Sequence, residues 1–471
     1  MAAARKQGFD AIVVGAGVAG LGVAAILTRE AGCRVLVVDR YPQFGGRLMC
    51  LADQPDRGWK VDVGLHMIEL GPEGSCTLLN QRVGKKVGWG PFSRKVKIFR
   101  DGRFCNIAEL VPMTDADRNE FGALLKKIAG LSEAEIESWD DRSLEEWLTQ
   151  AVPNAAVREL FRDFGMIMTT IPEAADMAAG EVLWIARDNL KKVRQLLSSS
   201  YPIGGMSAIT APLAHVVRDG AGEIRLNTRV DRVLVEGGRA VGVAVEAGRH
   251  PYPSEYAIPE CEEVRAERVI LALPIYQLPA ILEFRSPDAP LPEWWRKRIL
   301  DIRHEVTGLV GYLIGLSRPV DEDLCFLSAL RTRHAGLPFQ GFPASNFDPS
   351  VAPPGKQLLQ TDCVTEYPQV ADKFSRRKIL GLLWQDIREM FPDIDELVEW
   401  KLPYYVAGCD GLARKPGLVG RFKPALKAPG VANLYFAGDT YQGRGLASNG
   451  AALSAMQCAD LILSEIRCKR L

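Results

Sequence analysis

The feature that most constrains this chain is a glycine run, Gly15-Ala16-Gly17-Val18-Ala19-Gly20, set between two apolar stretches. Phe9–Val14 is apolar except for Asp10 and ends at glycine, the pattern of a short buried strand. Helical periodicity follows over Gly20–Glu30, Gly32 closes it, and Arg34–Val38 reads as a second buried strand. Strand, turn, helix and strand within about thirty residues make a βαβ unit. In such a unit the first glycine makes the tight turn, the second lets a phosphate approach backbone N–H groups, and the third lets the helix pack on the strand. The unpaired N–H groups and dipole of the helix N-terminus attract that phosphate. Asp39 ends the second strand, where an acid bonds ribose hydroxyls. The pattern implies a bound dinucleotide.

The rest of the chain alternates character. A hairpin is expected around Asp101-Gly102, and amphipathic helices from Thr114 to about Ser200, punctuated by Pro153 and Pro172. Strands resume over Glu223–Leu226, Thr228–Glu236, Ala240–Glu246 and Arg268–Leu273, and later at Thr307–Leu316, Gln357–Val364 and Trp400–Tyr405. A helix is expected at Arg376–Met390, a strand at Asn433–Ala437 and a closing helix from about Ala451 to Arg467. Nucleotide-type strands thus occur at the start, middle and end. The expected fold is α/β: a discontinuous Rossmann-like domain of residues 1–92, 200–275 and 430–471. A mixed α+β substrate domain of residues 93–199 and 276–429 is inserted into it, with a helical lid over about 114–199. A length of 471 residues suits two or three domains at about 100–200 residues each.

Composition narrows the function. With 58 basic and 58 acidic residues the net charge is zero, which argues against nucleic acid as the main partner. The ten cysteines form no C-x-x-C pair and read as small hydrophobes in a reduced, cytoplasmic setting. No two of the five histidines fall within helical reach of each other, so no metal site is expected. Ala11–Thr28 imitates a membrane span, but its internal glycines fit the nucleotide-binding turn better, and no transmembrane helix is expected.

Gly45-Gly46-Arg47 follows Asp39, and Asp62-Val63-Gly64-Leu65-His66 comes next. Tyr201-Pro202-Ile203-Gly204-Gly205-Met206 and Leu434-Tyr435-Phe436-Ala437-Gly438-Asp439, then Gly443 and Gly445, complete a series in order. The series resembles the FAD-dependent superfamily of amine oxidases, phytoene desaturases and protoporphyrinogen oxidases. The resemblance implies that Gly15, Gly17 and Gly20 lie under the pyrophosphate and Asp39 on the ribose, with Gly46 and Arg47 near the phosphates or flavin. It implies that Val230 reads the adenine edge through its backbone, and that Gly438 and Asp439 meet the ribityl or pyrophosphate groups. Leu446 and Ala447 then approach the flavin ring from a helix N-terminus. No cysteine lies inside the C-terminal motif, so the FAD is expected to be non-covalent. No second G-x-G-x-x-G follows a strand, so electrons are expected to enter from substrate and leave to oxygen or a quinone.

Substrate class is carried by weaker signals. Trp400-Lys401-Leu402-Pro403-Tyr404-Tyr405 has the wrong spacing for the amine-oxidase aromatic cage, although Tyr441 could form one wall. The run Gly445 to Ala455 instead resembles the plant and cyanobacterial phytoene desaturases. Phe161, Phe164, Met166, Ile167 and Met168 either line a hydrocarbon tunnel or form ordinary lid core; if the cavity beside the flavin is short and charged, the hydrocarbon-tunnel reading fails. Trp294-Trp295 beside Arg296-Lys297-Arg298 suits either a peripheral bilayer contact or a helix with one indole packed inside. Asp140-Asp141-Arg142-Ser143 reads as a structural helix start. Desaturation removes a hydride and a proton, so an acid–base group or a water is expected to face the bond. His66, Tyr441 and Arg444 are the candidates, each with a structural alternative. The reading is an FAD-dependent oxidoreductase that desaturates a hydrophobic substrate, a carotenoid or other isoprenoid. The alternative is a flavin amine oxidase giving an imine and hydrogen peroxide.

Overall fold

The computed structural model describes residues 8–54, 58–64, 67–92, 96–106, 109, 111–246 and 261–470. Its centre is a five-stranded, wholly parallel sheet. The strand order is Leu434–Phe436, Val269–Leu271, Ala11–Val14, Val35–Val38 and Glu223–Arg225. These strands are short and, except for Glu223–Arg225, fully buried, because layers cover both faces of the sheet. One face packs on the helices Val18–Ala31, Ser207–Asp219 and Ala447–Arg470. The other lies under a three-stranded antiparallel sheet (Val230–Glu236, Arg239–Glu246, Cys261–Arg265) and the helix Glu293–Ile302. The α/β, Rossmann-like expectation is met, with strands drawn from the start, middle and end of the chain.

A second, seven-stranded sheet joins Val96–Arg100 and Arg103–Asn106 to five strands between Thr307 and Val406. Its neighbours are antiparallel except where Phe326–Ala329 meets Val96–Arg100. Lys373–Met390 covers one face. Between residues 115 and 193 the chain is helical, with its own core around Phe161, Phe164, Leu183 and Ile185. Ser143 caps Leu144–Ala151 by accepting from Glu146 N–H at 3.2 Å, as the helix-start reading requires. Ser207–Asp219 is a helix that the sequence pattern hides, since Pro212 reads as a breaker; so near the N-terminus it forfeits one hydrogen bond.

Of the paired indoles, Trp295 is buried and stacks on Phe436 with ring centroids 5.4 Å apart, while Trp294 is 65% exposed. Among the described residues no helix is long and apolar enough to cross a membrane.

Candidate functional site

A cavity of about 830 Å³ lies across the C-terminal ends of four parallel strands, touching Gly15, Asp39, Ala272 and Gly438. This is where open α/β sheets take ligands. Gly15 has φ +109, and a Cβ there would stand 2.4 Å from the Ala272 carbonyl oxygen. A Cβ on Gly20 would stand 1.9 Å from the Gly15 oxygen, so turn and helix approach more closely than a side chain permits. Gly17 is different. Its φ of −79 suits any residue, and a Cβ would make only ordinary contact, with Gly46 Cα at 3.9 Å, because this face opens into the cavity. Gly17 is also the N-cap of Val18–Ala31, which has no side-chain cap and no acid in its first turn. The arrangement leaves N–H groups and positive dipole for an anion.

Asp39 accepts from the backbone N–H of Ala16 at 2.7 Å and of Tyr41 at 2.9 Å, one bond to each oxygen. Each oxygen keeps a further lone pair for a ligand hydroxyl. Arg47 spans the site: its Nη1 donates to Gly408 O at 3.1 Å and its Nη2 to Asp439 Oδ1 at 2.6 Å. Asp439 also accepts from Gly411 N–H at 2.8 Å. Burial pushes the Asp439 carboxyl up, but Arg47 and Lys423 outweigh it and hold the group below the usual carboxylate range. Two segments far apart in sequence are thereby tied across the cavity as an ion pair.

A smaller cavity of about 150 Å³ shares Cys409, Ala447 and Ser448 with the large one. The wall between them is the first turn of Ala447–Arg470, whose N-terminal dipole favours negative charge on either side. Met67, Ile167, Met168, Leu197, Phe326 and Leu446 give the small cavity a mainly apolar lining. Its polar groups include Glu69, Gln340, Thr170, the serines Ser198, Ser199 and Ser448, and the buried Asp410–Arg414 pair at 2.6 Å. At about 30 Å³ per liquid water the space equals roughly five waters. The cavity is short and its described lining carries Glu69, Asp410 and Arg414, so the expectation of a long hydrocarbon tunnel is not met.

Gly15, Gly17, Asp39, Gly46, Arg47, Val230, Gly438, Asp439 and Ala447 all line the large cavity. Gly20 lies beneath it against Gly15, and Leu446 lines the small one. Tyr441 and Arg444 stand outside both linings. Tyr441 is fully buried, stacks on Phe436 with centroids 5.0 Å apart, and directs its hydroxyl to Leu273 O. Arg444 is buried against Asp140 at 2.8 and 3.1 Å and Glu181 at 3.5 Å. His66 lies outside the described residues. Of the lid side chains, Phe161, Phe164 and Met166 are core, whereas Ile167 and Met168 reach the small cavity.

The half-cage does not assemble. Tyr404 is buried and bonds Asp362 at 2.9 Å, Trp400 packs edge-on to Trp59, and Phe326 is the aromatic ring in the described lining of the small cavity. Sequence reasoning missed Glu69, Asp410, Arg414 and Tyr276. The available signals were an acid in the apolar run Met67-Ile68-Glu69-Leu70 and an i,i+4 acid–base pair after a strand.

Comparison with known proteins gives the family and the fold. The family described as flavin containing amine oxidoreductase matches residues 18–463. An all-trans-retinol 13,14-reductase of Danio rerio is 22% identical over 298 residues, 52% of this chain and 47% of that protein. A neurosporene-forming phytoene desaturase of Rhodobacter capsulatus is 24% identical over 283 residues, 50% of each. The chain spans about half the length of these curated relatives. The crystal structure of an oxidoreductase from Methanosarcina mazei superposes with a TM-score of 0.74 at 20% identity, covering 96% of this chain and 99% of that one. At that identity the likeness shows the fold.

Proposed function

The chain belongs to the flavin-containing amine oxidoreductases, FAD-dependent enzymes, and on that premise we propose that it dehydrogenates a small, largely apolar molecule, an isoprenoid or a segment of one. The observation that carries this reading is the mainly apolar small cavity, which shares its Ala447–Ser448 wall with the dinucleotide cavity. When bound, FAD supplies a two-electron sink that takes hydride at N5, and oxygen or a quinone drains it.

The residues fit that group. The open face of Gly17 and the uncapped helix beneath it suit a pyrophosphate, and the spare lone pairs of Asp39 suit ribose hydroxyls. Val230 lines the same cavity and would meet the adenine edge through its backbone, and the Arg47–Asp439 pair would face the phosphates or ribityl chain. The N-terminus of Ala447–Arg470, which lines the cavity, would stabilise negative charge on a flavin ring bound against it. Ile167, Met168 and Phe326 hold an apolar carbon skeleton and exclude water, while Gln340, Ser198 or Arg414 offer a polar substituent its hydrogen bond. The small volume supports a compact substrate, or one end of a longer polyene, in place of an enclosed forty-carbon chain. The residues of 114–199 and of the seven-stranded sheet that form this cavity are the proposed substrate domain.

The test is anaerobic bleaching of the flavin absorbance with a panel of isoprenoids, cyclic ketones and amines. Bleaching by an apolar isoprenoid, followed by rapid reoxidation with a quinone, is the expected result. Bleaching by amines alone, with prompt peroxide release in air, overturns the reading in favour of amine oxidation.

A further inference from the structure

Dehydrogenation leaves a proton to be placed, and of the two carboxylates in the described lining of the small cavity, Asp410 is tied to a cation whereas Glu69 has no salt bridge among the described residues. Asp410 is paired with Arg414 at 2.6 and 2.9 Å. Glu69 is 8% exposed, lines the cavity, and its carboxylate accepts from Asn189 Nδ2. Asn189 is fixed as a donor there, because its Nδ2 also donates to Ile185 O at 2.9 Å and its Oδ1 accepts from Ser198 at 2.9 Å. The backbone is pinned as well. Glu69 pairs with Ser199 across a two-residue ladder, and its carbonyl accepts from Asn449 Nδ2 at 2.6 Å, on the helix whose first turn separates the cavities. Leu70 follows with φ +59, and Thr170 and Ala447 in the lining take φ +59 and +40. Non-glycine residues held in the left-handed region persist only where their surroundings over-determine them, and they concentrate at functional sites.

We propose that Glu69 is the catalytic residue that takes the substrate's proton in this dehydrogenation. The proposal rests on the reading above. Its carboxylate removes a proton from one substrate atom, and the electrons of that bond close the new double bond. The second hydrogen would leave the neighbouring atom as hydride, which FAD, when bound, would accept and pass on as electrons to oxygen or a quinone. Glu69 thereby becomes a neutral acid and returns its proton to solvent when product leaves. The environment suits this exchange. Burial pushes the Glu69 carboxyl up to about 8 against the donation from Asn189; Asp188 and Glu181 add to the rise and Arg414 opposes it. A base poised near the working pH transfers protons with least waste.

The experiment uses the holoenzyme and the donor that bleaches it best, with the rate of flavin reduction followed from pH 6 to 10. The expected profile rises about tenfold per pH unit below the Glu69 pKa and levels above it. Glu69→Gln should lose that rising limb and retain bound flavin. Asn189→Leu, which removes the donor, should move the limb to higher pH, an effect that a merely structural Glu69 would not give. A second readout needs no turnover: an infrared carboxylic-acid C=O band that titrates near pH 8 and is missing from the Glu69→Gln protein. A limb unchanged in Glu69→Gln, or no such band, overturns the assignment while dehydrogenation stands. Failure of every apolar donor to bleach the wild type overturns the dehydrogenation reading itself.

Discussion

Arg444 offers the sharpest mutational test, because its place in the fold contradicts what its position in the sequence suggests. It sits in the loop between the last flavin motif and the last helix, yet its guanidinium bonds Asp140 through two contacts at 2.8 and 3.1 Å. Glu181 stands at 3.5 Å and Glu133 at 3.1 Å. Asp140 is fully buried and Glu181 nearly so. Arg444→Met would keep the side-chain bulk and strip the buried Asp140 of its arginine, while Glu133 keeps Arg187 and Glu181 keeps Arg414 at 4.0 Å. Removing one member of a buried ion pair costs about 3–5 kcal/mol, chiefly the penalty of the stranded charge. For a cooperative unit of about 150–250 residues, at 2–4 °C per kcal/mol, the melting temperature should fall by roughly 6–20 °C. The deficit has a pH signature. Burial already pushes the Asp140 carboxyl up against the opposing pull of Arg444. Without that arginine it rises further, so the loss is greatest at neutral pH and shrinks as acidification protonates Asp140. Adding Asp140→Asn to Arg444→Met should recover part of the stability. The assay is thermal unfolding followed by tryptophan fluorescence at pH 5 and pH 7.5. A variant that melts with the wild type at both pH values, but no longer responds to substrate, would refute the structural assignment.

Other consequences follow from the same geometry. Ile167→Trp should fill the small cavity, leave flavin content unchanged and slow reduction by substrate roughly a hundredfold, the scale of a misplaced reacting atom; unchanged reduction would remove that cavity from the account. Trp295→Ala should cost about 3–5 kcal/mol in denaturant unfolding, whereas Trp294→Ala should stay within about 0.5 kcal/mol, since one indole is stacked in the core and the other is exposed. Equal losses would contradict this packing. The Glu69 carboxyl lies near 4.5 in its ordinary state and is pushed up to about 8 here, so its protonation favours folding. That contribution is fully present below about pH 4.5 and is lost as pH rises through 8. Over that interval the wild type should lose a few kcal/mol relative to Glu69→Gln, and parallel stability curves would refute it.

The nucleotide half of the molecule was legible in the sequence because its signals are local. The spacing of Gly15, Gly17 and Gly20 against two buried strands fixes a turn whose geometry depends on the backbone itself, and Asp39 follows at the end of the next strand. Arg47 and Asp439 were each legible, but their pairing was not, since it joins positions 392 residues apart. Glu69 escaped notice because its only local mark is one acid in a two-residue strand; what makes it unusual is the helix carrying Asn189 and the Asn449 contact folded over it. Tyr441 and Arg444 show the reverse case. Proximity in sequence to a cofactor motif says nothing about which way a loop side chain turns, and both turn into packed protein. The lid residues divide for a similar reason. Helical period places Phe161 and Phe164 inward, but only the fold brings Ile167 and Met168, at the end of their helix, to the cavity.

The account stands or falls on the large cavity holding FAD over the glycine turn, and Gly17 separates that claim from folding better than any other position. Gly15 and Gly20 cannot gain a Cβ without striking backbone oxygens, so their variants would damage the fold as well as the site. Gly17 has an ordinary φ and an open face, so Gly17→Val should leave the far-UV circular dichroism of the apoprotein unchanged. The measurement is the molar ratio of flavin to protein in purified Gly17→Val after reconstitution with excess FAD. The account predicts a folded, colourless protein, and a wild-type ratio would contradict it.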